Sequence, residues 1–311
     1  MSKCSRCHGS GKISRGGQWY RPGPEAESRI LGLRPSRGSD SIWSESLWAF
    51  CEKNTSLKFP LDTYPEIGCD VSRVLGGDDC CIVGQWGGII LVYDYANGRP
   101  LPGTAARIKE IADDLCTLAN RERAHLISKG AQPFYGHRVK CKIDDGAAGW
   151  GVIDLAYGYQ FIPVSAGATA NADLKYPNAR SELWFDSVDR AMEGGVSFAH
   201  LDDEATQTLK IQAMAPLWAM DARDRRVVEK KELTKKRLGR SPDAMDALNL
   251  SLYRASRSPA EWIGETPTGK YQETMGAKLG LLGRGRDEEE EKHIGRLERE
   301  SRGGVKLWGK R

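Results

Sequence analysis

The chain has 311 residues, of which 40% are hydrophobic and 28% are charged, and this composition is typical of a folded globular protein. No apolar run approaches the ~18 residues that a membrane-spanning helix needs, and the first ten residues lack the apolar core of a secretory signal, so we expect a cytosolic protein. The 46 Lys and Arg residues exceed the 42 Asp and Glu residues by only four, a net charge too small to indicate a partner.

Composition divides the chain into three regions. Residues 1–60 are rich in Gly, Pro, Ser and Arg, and we expect a partly irregular linker segment with short helices at 24–31 and 44–52. Residues 61–255 carry periodic apolar patterns and are predicted to form the folded domain, onto which the tryptophans of the linker segment dock. Residues 256–311 are polar and Gly-rich, and we expect a flexible charged tail.

The folded domain begins with apolar runs at 66–71, 80–86 and 89–95, which Gly-rich turns separate, and this pattern predicts a meander of three strands. Apolar residues then recur at three- and four-residue spacings over 108–119, as on one face of a helix. The remaining predicted elements are a strand at 139–143, a helix at 149–157, a strand at 160–164, and helices at 178–192 and 241–253. Ser241 is predicted to cap the last helix. This order predicts an α/β fold with a mixed five-stranded sheet flanked by helices.

Four aspartates fall where the predicted elements bring them together. Asp70 lies within an otherwise apolar strand, where an uncompensated charge is costly. Asp144, which Asp145 follows, ends the fourth strand, and this strand neighbours the first in a sheet of this order. Asp243 and Asp246 are three residues apart and share one face of the last predicted helix. The topology therefore predicts that these acids converge on one point.

Clustered carboxylates repel one another, and divalent cations relieve that repulsion. Oxygen ligands favour Mg²⁺ or Mn²⁺ over zinc, and two such ions can activate a water molecule and stabilise the leaving oxygen in phosphodiester cleavage. Each aspartate alone also has a structural explanation, since an acid can stabilise a helix N-terminus, occupy a turn or pair with an arginine. Their combination from three elements favours the metal site.

A basic segment precedes the last predicted helix. Residues 223–240 contain nine Lys and Arg residues against three acids, an excess of six positive charges that suits a polyanion. A solvated helix face gives the same pattern, so the composition leaves both interpretations open.

Four segments resemble, in the same order, the motifs of one protein family. They are IGCDVSR at 67–73 followed by GGDD at 76–79, DDGAAGWGVID at 144–154, YPNARSELW at 176–184 and KKRLGRSPDAMDAL at 235–248. On these motifs, the stretch from about residue 18 to residue 253 resembles the C-terminal nuclease domain of tailed-bacteriophage terminase large subunits, which are DNA-packaging motor proteins. The segment at 235–248 is the most specific match.

The resemblance implies a ribonuclease H-like fold and a metal-dependent endonuclease that cuts concatemeric double-stranded DNA during packaging, by two-metal phosphodiester hydrolysis. It maps the catalytic metal ligands to Asp70, Asp144 and Asp246, with Asp243 as a supporting ligand of the Mg²⁺ or Mn²⁺ ions. The basic residues expected to hold the DNA backbone are Lys230, Lys231, Lys235, Lys236, Arg237 and Arg240. The resemblance further implies a small terminase subunit, a portal protein and a separate ATPase chain as partners. The implied location is the cytoplasm of the bacterial host and, transiently, the procapsid portal.

Some features depart from the family pattern. A complete large subunit begins with an ATPase domain, but we find no GxxxxGK[ST] phosphate loop, and the nearest string, at 264–271, ends in Tyr271. We therefore expect the ATPase domain to be absent. Cys4 and Cys7 form a single Cys-x-x-Cys pair, which either binds zinc with ligands from another chain or stays metal-free. The other cysteines are scattered and are expected to be reduced thiols.

Three other interpretations remain. A non-catalytic module that docks DNA and the portal protein would bind metal without cleaving DNA. Actin-like sugar kinases also open with an Asp-bearing strand and a Gly-rich hairpin, but they need a second phosphate loop that we do not find. DDE-type transposases share the sheet and the acids, but they commonly use Glu as the last acid, where this chain has Asp246.

Overall fold

The structure, a computed structural model, describes residues 41–254 apart from residue 74, and two short strands nearer the N-terminus. These strands, β1 (Ile13–Arg15) and β2 (Gln18–Tyr20), pair in antiparallel fashion. Several predictions fall outside the described residues: the helix at 24–31, the Cys4 and Cys7 pair, the string at 264–271 and the charged tail at 256–311.

A mixed five-stranded sheet forms the centre of the fold. Its strands are β3 (Glu66–Asp70), β4 (Asp79–Trp86), β5 (Ile89–Asn97), β6 (Lys140–Asp144) and β7 (Gln160–Val164). They lie in the order β5-β4-β3-β6-β7. The first three form an antiparallel meander, whereas β6 and β7 run parallel to β3. This order and these directions are those of the ribonuclease H-like fold, so the predicted fold class is confirmed.

Helices and a short ribbon complete the described part of the chain. The helices are α1 (Glu45–Glu52), α2 (Leu101–Glu122), α3 (Ala124–Ile127), α4 (Ala147–Leu155), α5 (Ala179–Met192), α6 (Asp203–Met214), α7 (Lys231–Leu238) and α8 (Asp243–Leu252). A turn of 3-10 helix, Gly136–Arg138, precedes β6, and a ribbon of β8 (Trp218–Met220) and β9 (Arg226–Val228) precedes α7. None of these helices is long and apolar enough to cross a membrane.

Each face of the sheet packs against a pair of helices. α2 and α4 cover one face, where Ile67 of the sheet meets Ile108 and Val152 of the helices. α5 and α8 cover the other face through residues such as Trp184 and Leu248. The cysteines that the structure describes are buried free thiols within this core, as expected.

The contact between β3 and α8 depends on Gly68. A Cβ atom at this position would lie 2.1 Å from the Ala247 carbonyl oxygen and 2.2 Å from the Ser251 backbone nitrogen, closer than atoms can pack. Glycine therefore allows the helix to lie directly on the strand backbone. Because side chains alternate along a strand, Asp70 points to the same face as Gly68 and comes next to the first turn of α8.

Two tryptophans attach the end of the linker segment to the core. α1 follows Ser44, whose hydroxyl caps its first turn, and this confirms the helix predicted there. Trp43 and Trp48 are fully buried, and the Trp48 and Phe198 rings stack with their centroids 4.4 Å apart. The docking predicted for these two tryptophans is confirmed, whereas the side chain of Trp19 lies outside the described residues.

Ser241 does not cap α8, contrary to the prediction. The Asp246 backbone nitrogen donates to the Pro242 carbonyl oxygen at 2.9 Å, so the helix starts one residue later than Ser241 would allow. The Ser241 hydroxyl has no hydrogen-bond partner among the described residues. Proline suits this place because its restricted φ and missing N–H cost little at a helix start.

The stretch at 203–238 contains elements that the apolar periodicity does not reveal, namely α6, the β8–β9 ribbon and α7. Between the ribbon strands, the Asp221 carboxylate accepts hydrogen bonds from the backbone nitrogens of Arg223 and Arg225 at 2.8 and 3.0 Å. Asp224 completes the turn with a positive φ of 56°. The ribbon strands have three residues each, which is too short for an alternating pattern to be recognised.

Candidate active site

Three aspartates from two elements meet at the carboxyl end of β3, the central strand of the sheet. Asp70 is the last residue of β3, and Asp243 and Asp246 lie in the first turn of α8. A carboxylate oxygen of each lies within 4.8 Å of an oxygen of the other two. We call these three residues the acid cluster, and the structure places them together as the sequence predicts.

Asp144 lies beside the acid cluster on the neighbouring strand. It ends β6, which runs parallel to β3, so the two strand ends are side by side. Asp144 lines a cavity of about 250 Å³. The cavity is lined by Asp70, Asp144, Val164, Ala166, Arg180, Leu183, Trp184, Lys231, Asp246, Asn249 and Leu250. Asp145 does not line this cavity, and its backbone nitrogen donates to the Val164 carbonyl oxygen at 3.1 Å.

Protein donors fix two of the cluster carboxylates. Asp243, only 3% exposed, accepts through Oδ2 from the Asp79 backbone nitrogen at 2.9 Å. Asp246 accepts through Oδ1 from the Trp184 indole nitrogen at 3.2 Å. The Oδ1 atom of Asp243 is buried and has no hydrogen-bond partner in the described part of the chain. This oxygen therefore remains available as a ligand.

Lys231, the first residue of α7, lies among the acids. Its Nζ is 3.2 Å from Asp70 Oδ2 and 2.9 Å from Asp246 Oδ2. It is also 3.1 Å from Asp243 Oδ1, an ion pair without hydrogen-bond alignment. Burial alone lowers the pKa of the Lys231 ammonium, but the three aspartates together raise it above its ordinary value. The ammonium therefore stays charged and neutralises part of the cluster.

The site nevertheless carries an excess of negative charge. Burial raises the pKa of Asp70 well above its ordinary value, and the neighbouring aspartates raise it further, whereas Lys231 opposes them. Burial also raises the pKa of Asp144, and the adjacent Asp145 adds to that shift. The four predicted acids outnumber the two cationic side chains of the cavity, Lys231 and Arg180, so the formal charge is −2. Such a site favours the binding of further cations.

The donor set fits a hard divalent cation. All the candidate ligands are carboxylate oxygens, which Mg²⁺ and Mn²⁺ prefer. The oxygens of the acid cluster are close enough to share one ion, and the unpartnered Asp243 Oδ1 is one of the atoms that such an ion would satisfy. Since the Lys231 ammonium lies between the same oxygens, a cation and this ammonium compete for them.

The six basic residues predicted to contact DNA fall into two groups. Lys231 contacts the acid cluster, Lys235 forms an ion pair with Asp78, and Arg237 donates to Glu229 through two nitrogens at 2.7 and 2.6 Å. The others, exposed and without an ion pair to any described residue, are Lys230, Lys236 and Arg240. The first group also makes contacts within the protein, and DNA contact stays a prediction for both groups.

The motif at 176–184 has the pattern Asn-x-Arg-x-Glu-x-Trp from Asn178 to Trp184, and its first half orients α5. Asn178 caps the helix, because its side-chain oxygen accepts from the Ser181 backbone nitrogen at 2.9 Å. The Arg180 guanidinium donates through Nη1 to the Glu229 carbonyl oxygen, just before α7. This contact ties the helix to the segment that carries Lys231.

The second half of the motif holds the loop before α5. Glu182, 8% exposed, accepts from the backbone nitrogens of Asn171 and Ala172 at 2.8 and 2.9 Å. It also accepts from the Tyr253 hydroxyl at 3.1 Å. With the contact from Trp184 to the acid cluster, the motif connects the loop, the end of α8 and the candidate site to one helix.

Sequence reasoning predicted Lys231 as a DNA contact but not as a neighbour of the acids, and it did not place Trp184 or Arg180 in the site. Arg180 and Trp184 are four residues apart and therefore share one face of α5, which is a signal that the sequence does contain. For Lys231 no such signal exists, because the start of α7 is hidden within a uniformly basic segment.

No protein-family model matches the chain, and no curated protein matches it. Solved structures do match. The nuclease domain of the large terminase subunit gp2 of bacterial virus Sf6 is 14% identical, with a TM-score of 0.47 over 70% of this chain and 100% of that one. The large terminase nuclease of thermophilic phage G20c with bound magnesium is 15% identical, with a TM-score of 0.45 over 70% and 98% of the two chains. The large terminase nuclease domain of Thermus phage P74-26 is 16% identical, with the same TM-score and coverage.

Structures of the Sf6 and G20c domains have also been solved with manganese, calcium or cobalt. The three structures named above are nuclease domains of phage large terminase subunits.

Proposed function

We propose that this chain is a metal-dependent DNA endonuclease of the phage-packaging type, which cuts concatemeric double-stranded DNA. The observation that carries the proposal is the acid cluster: three carboxylates from two elements converge within 4.8 Å, at the strand ends where Asp144 also lies. Such an arrangement is expensive for folding alone, because the acids repel one another. It is useful for a protein that holds divalent cations against a phosphate.

The proposed ligands are Asp70, Asp144 and Asp246, with Asp243 in support. Bound Mg²⁺ or Mn²⁺, in a two-ion arrangement, would supply activation of the attacking water and stabilisation of the charge on the phosphate and the leaving oxygen. The protein positions the carboxylates beforehand: the Trp184 indole holds Asp246, and the Asp79 backbone nitrogen holds Asp243. Lys231 neutralises the cluster while no cation is bound.

The packaging context comes from the four motifs. On this basis the proposed partners are double-stranded DNA, a small terminase subunit, a portal protein and a separate ATPase chain, in the cytoplasm of a bacterial host and at the procapsid portal. Exposed basic side chains at both ends of α7 suit contacts with the DNA backbone. They are Lys230, Lys236 and Arg240.

Plasmid nicking by the purified chain tests the proposal, with Mn²⁺, Mg²⁺ or EDTA. Cutting is expected with either metal, and Asp70→Asn and Asp246→Asn should abolish it. Asp154→Asn is a matched control, because Asp154 belongs to the same set of motifs but is exposed and does not line the cavity. Equal cutting by all variants would indicate a contaminating nuclease. Cation binding without cleavage under any condition would favour the non-catalytic docking module.

A further inference from the structure

The cavity beside the acid cluster is also lined by residues that are not acids. Arg180 lines it together with the apolar side chains of Val164, Leu183 and Leu250. The volume of about 250 Å³ is more than metal ions alone would fill. This part of the cavity is therefore available to a ligand that also touches the acid cluster.

The guanidinium of Arg180 is only partly satisfied by the protein. Its Nη1 donates to the Glu229 carbonyl oxygen. Its Nε and Nη2 atoms are shielded from solvent and have no hydrogen-bond partner in the described part of the chain. These two nitrogens share one edge of the guanidinium, and such an edge donates two parallel hydrogen bonds to a carboxylate or a phosphate. No acid among the described residues fills that role, so the edge is suited to an anionic ligand.

Arg180 is also held in place before any ligand arrives. Its backbone nitrogen donates to the Ala166 carbonyl oxygen at 3.0 Å, and Asn178 caps the helix turn that carries it. The Glu229 carbonyl that orients the side chain lies two residues before Lys231, so the guanidinium has a defined position relative to the acid cluster. A side chain ordered in advance loses little entropy on binding.

Building on the proposed nuclease function, we propose that Arg180 binds the non-bridging oxygens of a DNA phosphodiester in this cavity. Asp70 and Asp246 of the acid cluster line the same cavity, where bound Mg²⁺ or Mn²⁺ would offer the phosphate a second positive group. Those cations are needed, because the carboxylates alone would repel a phosphate. The Arg180 Nε and Nη2 atoms are shielded from solvent, and an ionic contact is stronger where water is excluded.

The test measures DNA binding rather than cleavage, with the full chain. A fluorescently labelled duplex is titrated at several salt concentrations, in Ca²⁺ and separately in EDTA. Arg180→Met and Arg180→Lys are compared with Arg190→Met. Arg190 is a matched control on the same helix, since its guanidinium donates to the carbonyl oxygens of Gly195 and Leu252 and it does not line the cavity.

Arg180→Met should weaken binding in Ca²⁺ by about 10- to 100-fold and reduce the slope of log affinity against log salt by about 1. Arg180→Lys keeps the charge but loses the two parallel donors of the guanidinium. It should therefore retain the salt slope and weaken binding by a smaller factor than Arg180→Met does. Arg190→Met should lower the melting temperature while leaving DNA affinity and slope unchanged.

Wild-type affinity and slope in a folded Arg180→Met protein would overturn the proposal, as would a wild type that binds no DNA. If Arg180→Met does not fold, Arg180→Lys decides, and unchanged affinity in that variant overturns the proposal. Inorganic phosphate is tested separately, by its effect on the melting temperature. If phosphate raises the melting temperature of wild type but not of Arg180→Met, and the two proteins bind DNA equally well, the cavity is a site for free phosphate instead. If DNA binding depends on Arg180 but no metal supports cleavage, the nuclease assignment fails and the phosphate contact stands.

Discussion

The indole nitrogen of Trp184 donates to Asp246 Oδ1 at 3.2 Å, and so joins the hydrophobic core directly to a proposed metal ligand. Trp184 is 1% exposed, packed between α5 and the sheet. Its ring cannot move without disturbing the core, which makes it a rigid support for the carboxylate. The position of Asp246 is therefore set by packing as well as by its own helix.

Trp184→Phe should keep the fold and raise the metal concentration that nicking requires. Removing the indole N–H costs about 1 kcal/mol of stability and leaves Asp246 free to rotate, so more Mn²⁺ should be needed for half-maximal nicking. Trp86→Phe is the control, because the Trp86 indole is equally buried but donates to the Thr63 carbonyl oxygen, away from the site. A change in metal requirement that is equal in both variants would contradict the assigned role of Trp184.

Lys231→Met should lower the stability of the metal-free protein and raise its affinity for Mn²⁺. Without cation, the variant loses the ammonium that neutralises three aspartates, and its free energy of unfolding in EDTA should fall by about 2 kcal/mol, less than for a fully buried pair because the Lys231 side chain is 34% exposed. With Mn²⁺ present the loss should shrink, and calorimetry should show tighter Mn²⁺ binding, because no ammonium competes. Lys235→Met removes an exposed pair with Asp78 and should change stability by less than about 1 kcal/mol. Weaker Mn²⁺ binding by Lys231→Met would show instead that the lysine assists the metal.

Gly68→Ala should destabilise the protein by at least about 3 kcal/mol in urea denaturation. The added methyl group collides with the backbone of α8 at Ala247 and Ser251, and neither atom can rotate away. The displaced helix carries two acids of the cluster, so cation binding should weaken as well. Gly167→Ala is the control, since a Cβ atom there meets nothing within 4 Å. A Gly68→Ala protein with wild-type stability would show that α8 does not rest on β3.

Divalent cations should stabilise the folded chain. Mn²⁺ at a hundred times its dissociation constant should add about 2.7 kcal/mol to the free energy of unfolding, and EDTA should reverse the effect. The double variant Asp70→Asn with Asp246→Asn should lose this stabilisation by Mn²⁺. In EDTA, its stability relative to wild type measures whether the repulsion between the aspartates exceeds the gain from the Lys231 ion pairs. Asp154→Asn should respond to Mn²⁺ like wild type. The measurement is the rise in melting temperature on adding Mn²⁺. An equal rise in wild type, the double variant and Asp154→Asn would show that the cation binds outside the acid cluster.

The sequence contains most of the information on the sheet and less on the site. Strand order follows from the meander and the spacing of the later elements, and the acids at 70 and 144 are the last residues of two five-residue strands. Lys231 could not be located in this way, since it lies in a basic stretch where every residue suits a solvated helix. Its environment is decided by the docking of α7 and by the hydrogen bond from the Arg180 side chain to the Glu229 carbonyl oxygen, which link parts of the chain that are distant in sequence.

The close packing of α8 on Gly68 of β3 also determines at what stage of protein synthesis the site can form. Asp70 and Asp246 are separated by more than half the length of the chain, and α8 is the last helix that the structure describes. A ribosome-bound chain can form the β3–β4–β5 meander early, but the acids cannot meet until residue 252 has emerged and the helix has packed on the strand. Unfinished chains therefore hold no assembled cluster, and the proposed nuclease site is complete only in the finished domain.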